Sequence, residues 1–522
     1  MDQDTSHYYV YLVLALMSLL IVFTKRRRRR CRSQGEQGHL RLPPGPWQLP
    51  IIGSLHHLAG KLPHRALRDL ARRHGPVMLL RVGEVPTVVV SSRDAAREVL
   101  RTHDLALASR PQSAAVRVLT NGGRDIAFAP YGEHWRQLRK VAVAEVLSAR
   151  RVASFRAVRE EEVAAMLRGV AAEAEAAGRA AVGMRGRLAA MVADTTVRSV
   201  MGGGGGGRWK DRDAFLRELS RANELAVAMN VADLWPSSWL ARRLSGATRR
   251  AKSCSDAVYG LLDGVIKEHL ERMDSGGGGD TQDLLDVLLR IHKDGQLPLD
   301  MDAIKAVIFD IFGAGSETSL TTLEWILAEL IRHPKAMRKA TAEVRHAFKD
   351  HGRVREHALG ELQYLHLVVR ETLRLRPPGP LLLPRQAREP CRVLGYDAPE
   401  GATVMVNVWA LARDERYWPG GAEEFRPERF ESGGEAHGVE FRGADFELLP
   451  FGAGRRMCPG VAFGLASIEL PLASLLFHFD WEVPGLSDPA DLDMTEAYGV
   501  NLRRKEDLLL RPVLRVPVPA AV

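Results

Sequence analysis

Cysteine is scarce in this sequence. The 522 residues hold four, Cys31, Cys254, Cys391 and Cys458, far apart and with no Cys-x-x-Cys pair. That spacing excludes a disulfide scaffold, a zinc site on paired thiolates and an iron–sulfur cluster, and it points to a reducing compartment. Nucleotide signatures are missing as well. Gly452-x-Gly454 and Gly313-x-Gly315 lack a third glycine and a strand-turn-helix context, so neither is a flavin or nicotinamide fingerprint. The run Gly202–Gly207 leads into Arg208-Trp209-Lys210 instead of Gly-Lys-Ser/Thr, which excludes a phosphate loop. A broad basic surface is lacking too. Of the net charge of +9, seven cations against two acids place +5 in residues 1–32 and leave +4 for the rest. No nucleic-acid partner is implied.

One long apolar run is present. Tyr8 to Thr24 spans ~25 Å as a helix, enough for a thin membrane. The basic block Lys25–Arg30 follows at once and keeps that side cytosolic, as expected of an uncleaved anchor. Pro43-Pro44-Gly45-Pro46 then forms a stiff connection. The chain divides into a lumenal tip and anchor (1–24), a basic stop-transfer, linker and hinge (25–46) and one large domain (47–522), whose apolar share of 46% is that of a globular protein.

Within that domain the periodicity predicts a mainly α fold with small β-sheets. Helices are expected at 62–74, 93–101, 131–146, 152–177, 187–201, 211–229, 244–273, 302–333, 359–376 and 461–477. A hairpin is expected at 77–91, short strands at 380–385, 391–394 and 403–407, and a closing hairpin at 508–518. Residues 103–130 show little periodicity, which marks a functional loop. Leu234, Trp235, Trp239 and Leu240 around Pro236 read either as a packed knot or as a membrane contact.

The chain turns on Phe451-Gly452-Ala453-Gly454-Arg455-Arg456-Met457-Cys458-Pro459-Gly460. Cys458 stands just before a helix N-terminus, where the dipole and free amides favour a thiolate. With no second cysteine nearby, a single thiolate suits one role in particular, the protein ligand of a haem iron. A second anomaly lies inside the longest helix, at Gly313-Ala314-Gly315-Ser316-Glu317-Thr318. Two glycines there cost about 1 kcal/mol each, and an acid beside a hydroxyl adds a desolvation cost. A purely structural helix has no need of either. The segment reads as a local widening with proton-bearing side chains.

Phe451, Gly454, Arg456, Cys458 and Gly460 resemble the haem-binding loop of the cytochrome P-450 haem-thiolate monooxygenases, and the resemblance extends along nearly the whole chain, most closely to plant microsomal members. It implies several further roles. Cys458 would ligate haem b. Trp135 and Arg139 (Trp-x-x-x-Arg), Arg385 and Arg456 would meet the propionates. Glu371, Arg374 and Arg429 would form a structural ion-paired triad. Thr318 and Glu317, the latter where aspartate is more frequent, would relay protons. Val307, Ile311, Ala314, Leu381, Leu382, Leu383 and Val500 would line the substrate pocket, and residues 103–130 would cover it. The proline segment would be the hinge behind the membrane anchor.

The reaction so implied inserts one atom of O2 into a C–H bond of a hydrophobic small molecule. Its electrons come from NADPH through a separate reductase in the endoplasmic reticulum membrane. The intact Glu317-Thr318 pair speaks against a haem-thiolate isomerase or dehydratase, and a haem sensor would need neither relay nor lid. The absence of a charged partner among the expected pocket residues favours a neutral, apolar substrate. The likeness to grass enzymes of defence metabolism ranks sesquiterpenes and diterpenes ahead of phenolic, indolic or fatty-acid-derived compounds.

Overall fold

The computed structural model describes residues 40–176, 181–202, 209–275, 283–295 and 299–520. The expected anchor, the basic block with Cys31, most of the Gly202–Gly207 run and the Gly276–Gly279 run lie outside the described residues. Among those described, only Val461–His478 is long and apolar enough to cross a membrane, and it is mostly buried in the core.

Helices dominate, as the periodicity predicts, and six position the site: α1 (Glu133–Val141), α2 (Met184–Met201), α3 (Arg212–Val227), α4 (Met301–Arg332), α5 (Gln363–Leu375) and α6 (Val461–His478). The start of α4 is set by Asp300, whose carboxylate accepts from the Ala303 amide at 2.8 Å. α5 stops two residues before Pro377-Pro378, which cannot continue a helix. α4 runs through the middle of the molecule with α2, α3, α5 and α6 packed around it. A helix at Pro334–Phe348 was not expected from the sequence; it buries Ala336, Ala340, Val344 and Phe348 on one face.

A four-stranded sheet holds the hairpin Val77–Val82 and Val85–Val90. Its second strand runs parallel to Thr403–Val406, which carries Arg385–Gln386 at the far edge. Of the strand expected at 380–385 only Arg385 remains, pairing together with Gln386. Prolines at 380 and 384 supply no amide to a ladder, and Leu382 adopts a left-handed φ of 52°. The closing hairpin is also corrected: Leu509–Leu514 lies between Phe479–Glu482 and Val182–Gly183. In the proline segment, the Pro44 carbonyl accepts from the Leu79 amide at 2.9 Å, so this stretch is fastened to the first strand.

Candidate active site

Gly454 shows why the cysteine loop has its sequence. Its φ is 70°, and a Cβ there would stand 2.2 Å from the Leu100 carbonyl oxygen. The loop passes through a tight turn at Gly454–Arg456 and closes with the Cys458 amide donating to the Phe451 carbonyl at 2.9 Å. The Phe451 ring packs 5.5 Å from that of Phe441. Gly460 caps α6, and its amide points toward the Cys458 sulfur.

Cys458 is exposed, yet burial is the largest influence on its thiol. Both hold together only if the sulfur faces a hollow inside the fold. Burial pushes the thiol above its ordinary value, against the Gly460 amide and the Arg139 charge. The helix N-terminus is therefore in place, but desolvation outweighs it, and the thiolate expected from the sequence requires a cation at the sulfur.

α4 borders the same kind of space. Apart from Lys305, its residues are buried from Ala303 to Phe309 and again from Ser319 to Ile331, whereas Gly313 to Thr318 are all partly or fully accessible. The helix stays α throughout, so the expected widening is no break in its winding. Room comes instead from missing side chains: a Cβ on Gly315 would stand 3.4 Å from the Phe463 ring, and one on Gly313 would stand 2.8 Å from the Asn223 carboxamide of α3. The Thr318 hydroxyl donates to the Ala314 carbonyl at 2.7 Å. Glu317 has no hydrogen-bond or ion-pair partner among the described residues.

Guanidinium groups gather in the protein interior. Arg456 lies 4.1 Å from the Trp135 ring centre and donates to the carbonyls of Ala108 (2.7 Å), Ile126 (3.2 Å) and Ala129 (2.5 Å). Arg385 reaches Asp104 at 2.7 Å and the Ala453 carbonyl at 2.9 Å. Arg139 donates to the Met457 carbonyl at 2.5 Å. The Trp135 indole gives its single proton to Ile126 at 3.0 Å. Sequence reasoning missed Arg110, which donates to the carbonyls of Leu383 (2.5 Å), Pro384 (3.0 Å) and Ala127 (3.2 Å). Burial, and then the charges of Arg385 and Arg456, depress Arg110 strongly; burial first and Arg385 second bring Arg456 down to about 9. A guanidinium stays charged in proteins, so these shifts measure unmet demand for anions. Three buried cations, Arg110, Arg385 and Arg456, with the partly buried Arg139, face two nearby carboxylates, Asp104 and Asp125. A flat macrocycle with two carboxylates and a metal that takes one thiolate fits this donor set.

The expected pocket residues divide. Val307 and Ile311 share an apolar cluster with Ala115 and Leu119 of a short helix (Ala114–Leu119) inside the expected loop 103–130, Ile126 beyond it, Leu219 and Ala222 of α3, and Phe463 of α6. Leu382 lies over Gly452, 3.6 Å from where its Cβ would be, and Leu383 is 40% exposed. Val500 stands in the turn between Glu496–Tyr498 and Leu502–Arg504, beside α4. Leu381 is buried with Leu67, Leu70 and Leu80 against the hairpin. The triad residues meet with no exposure at all: Arg374 grips Glu371 through two bonds of 2.7 Å, and Arg429 reaches it at 3.0 Å.

A family model described as cytochrome P450 matches residues 43–511. Zealexin A1 synthase of Zea mays is 48% identical over 497 residues, covering 94% of this chain and 96% of the relative. Dolabradiene monooxygenase, also of Zea mays, is 46% identical over 518 residues, with 98% and 99% covered. Ent-cassadiene hydroxylase of Oryza sativa subsp. japonica is 45% identical over 522 residues, with 98% of each covered. A zebrafish cytochrome P450 solved with progesterone superposes with a TM-score of 0.70 at 25% identity, covering 87% of this chain and all of that one.

Proposed function

The chain belongs to the cytochrome P450 family and is a monooxygenase, and from that premise we propose that it oxidises a sesquiterpene or diterpene hydrocarbon while anchored in the endoplasmic reticulum membrane. Relatives named for zealexin, dolabradiene and ent-cassadiene support the substrate class. The observation that carries it is the apolar wall made by Val307, Ile311, Leu119 and Leu219 beside the accessible Ala314–Thr318 stretch. No cationic or anionic side chain was expected in that wall. Asp310, on the same helix, is pushed well above the ordinary carboxyl range by burial and by Asp125.

Haem b, when held by Cys458, would supply the activation of O2. The protein's own groups do the rest. Arg110, Arg139, Arg385 and Arg456 would neutralise the haem's two carboxylates. Trp135 keeps the Arg456 plane fixed by stacking beneath it. The Thr318 hydroxyl holds a proton at Oγ1, now donated to Ala314, and can turn it toward the hollow. Glu317, unpaired, replaces that proton. Leu382, Leu383 and Val500 orient the hydrocarbon. Electrons arrive from NADPH through a separate reductase.

Exposed Trp47 (64%), Ile51 (66%), Met229 (62%), Trp239 (68%) and Leu244 (73%) support a lipid-facing surface. The two stretches that carry them are joined where the Trp235 indole donates to the Ile51 carbonyl at 3.0 Å. Membranes holding the full chain and a plant reductase, given labelled O2, NADPH and a panel of sesquiterpenes and diterpenes, test the proposal. Label in an oxidised terpene, dependent on NADPH, is expected. Oxidation confined to phenolic, indolic or fatty-acid-derived compounds would overturn the substrate class.

A further inference from the structure

Two acids that the sequence did not single out meet inside the protein. Asp125 is fully buried in the loop before α1, and Asp310 lies on α4, four and eight residues before Ala314 and Thr318. One Asp125 oxygen accepts from the Phe128 amide at 2.8 Å; the other is buried with no donor. Asp310 Oδ2 accepts from the amides of Ile126 (2.6 Å) and Ala127 (3.0 Å), and its carboxyl is within hydrogen-bonding reach of Asp125. Two carboxylates have no hydrogen to offer each other, whereas a carboxylic acid and a carboxylate do. A single proton supplies the missing donor and removes the like-charge repulsion of a buried pair.

We propose that Asp125 and Asp310 share one proton, and that this pair is the latch that positions loop 125–129 between the oxygen-side helix α4 and the buried guanidinium cluster. The loop's amides face the two acids. Its carbonyls face the cations: Ile126 accepts from Trp135 and Arg456, Ala127 from Arg110 and Ala129 from Arg456. One proton therefore sets both the pocket wall at Ile126 and the aim of two cradle arginines. Asp125 and Asp310 are positioning residues, acting through this loop.

The surroundings agree. Burial, then the Asp125 charge, pushes Asp310 well up, and burial pushes Asp125 to about 6 against the Phe128 amide and Arg456. The other ionisable groups facing the pair are Arg110 and Tyr259; the tyrosine hydroxyl donates to the Leu119 carbonyl at 2.6 Å and is itself held protonated by burial and by the two acids. Asp310 holds the last proton of the pair and is pushed well above a free carboxyl, so the latch is lost as pH rises through that raised value.

Hydrogen exchange and infrared spectroscopy on the haem-loaded full chain test this without any substrate. Wild type should show the carbonyl stretch of a buried carboxylic acid at neutral pH, sensitive to deuterium. Protection of the Ile126–Phe128 amides should fall about tenfold per pH unit once the pair ionises. Asp310→Asn supplies a donor without a titratable proton, so it should lack the band and keep its protection at alkaline pH, with haem content unchanged. Asp310→Ala should lose protection at every pH. A missing band in wild type, a band that persists in Asp310→Asn, a shared alkaline loss, or an Asp310→Asn chain that fails to load haem would each overturn the proposal.

Discussion

Glu371→Gln is the sharpest test of how the core beneath the cysteine loop is held. Among the described residues Glu371 is the only carboxylate on Arg374, whose other protons go to the carbonyls of Ala412 (2.5 Å), Ala422 (2.7 Å) and Glu424 (2.9 Å). Arg429 has a second carboxylate, Glu435, at 2.7 Å. The amide of glutamine keeps the shape, removes the charge and turns two donors toward a guanidinium that has donors of its own. Removing one partner of a fully buried pair costs about 3–5 kcal/mol, because the remaining charge stays buried. Glu435→Gln strikes a half-exposed acid and leaves Arg429 its bond to Glu371, so it should cost ~1 kcal/mol. Denaturant midpoints of the haem-loaded proteins, followed by tryptophan fluorescence, measure the difference. A loss of about 3–5 kcal/mol is a large share of a typical folding stability of ~10 kcal/mol, so Glu371→Gln should also shed haem on mild warming. The reasoning is refuted if Glu371→Gln lies within ~1 kcal/mol of wild type, or if Glu435→Gln costs as much.

Gly454→Ala places a Cβ 2.2 Å from a backbone oxygen at a left-handed φ, and should abolish haem loading as read by the reduced carbon monoxide spectrum. Gly464→Ala on α6 meets nothing within 4 Å and should hold or gain up to about 1 kcal/mol, so equal damage at both sites would sink the steric argument. Glu496 is brought down to about 2, burial notwithstanding, by a His64 hydrogen bond and by Arg376 and Arg65. Its folded value lies below its unfolded one, so this contribution of about 3 kcal/mol exists above the carboxylate range and fades as pH falls toward 2. Glu496→Gln should thus be less stable at neutral pH and converge with wild type in acid; parallel pH curves would exclude this account. Thr318→Ala should lower product formed per NADPH about 10- to 100-fold while Thr318→Ser retains it, and equal coupling in both would remove the hydroxyl from proton delivery.

What could be read from the sequence alone follows a physical divide. The helices showed themselves because each buries one face, and the 3.6-residue period of that burial is local information. The gap in α4 at Gly313–Thr318 was visible for the same reason, as costs that no core helix needs. The stretch 380–385 misled because its leucines look like a strand, while the prolines at 380 and 384 had already removed the amides a strand requires. Leu381 is buried against the hairpin, and Leu382 takes a left-handed φ that a strand does not use.

The charges were harder. Arg110, Asp125 and Asp310 carry no local pattern of their own, because their partners lie in distant stretches of the chain and are largely backbone carbonyls and amides, to which any sequence contributes equally. One signal was available nonetheless. Asp310 interrupts the apolar run Ala306 to Phe312, four and eight residues before Ala314 and Thr318, and an acid so placed must find donors or keep its proton. The structure shows it doing the first through Ile126 and Ala127. The orphan oxygen on Asp125 is the reason to expect the second.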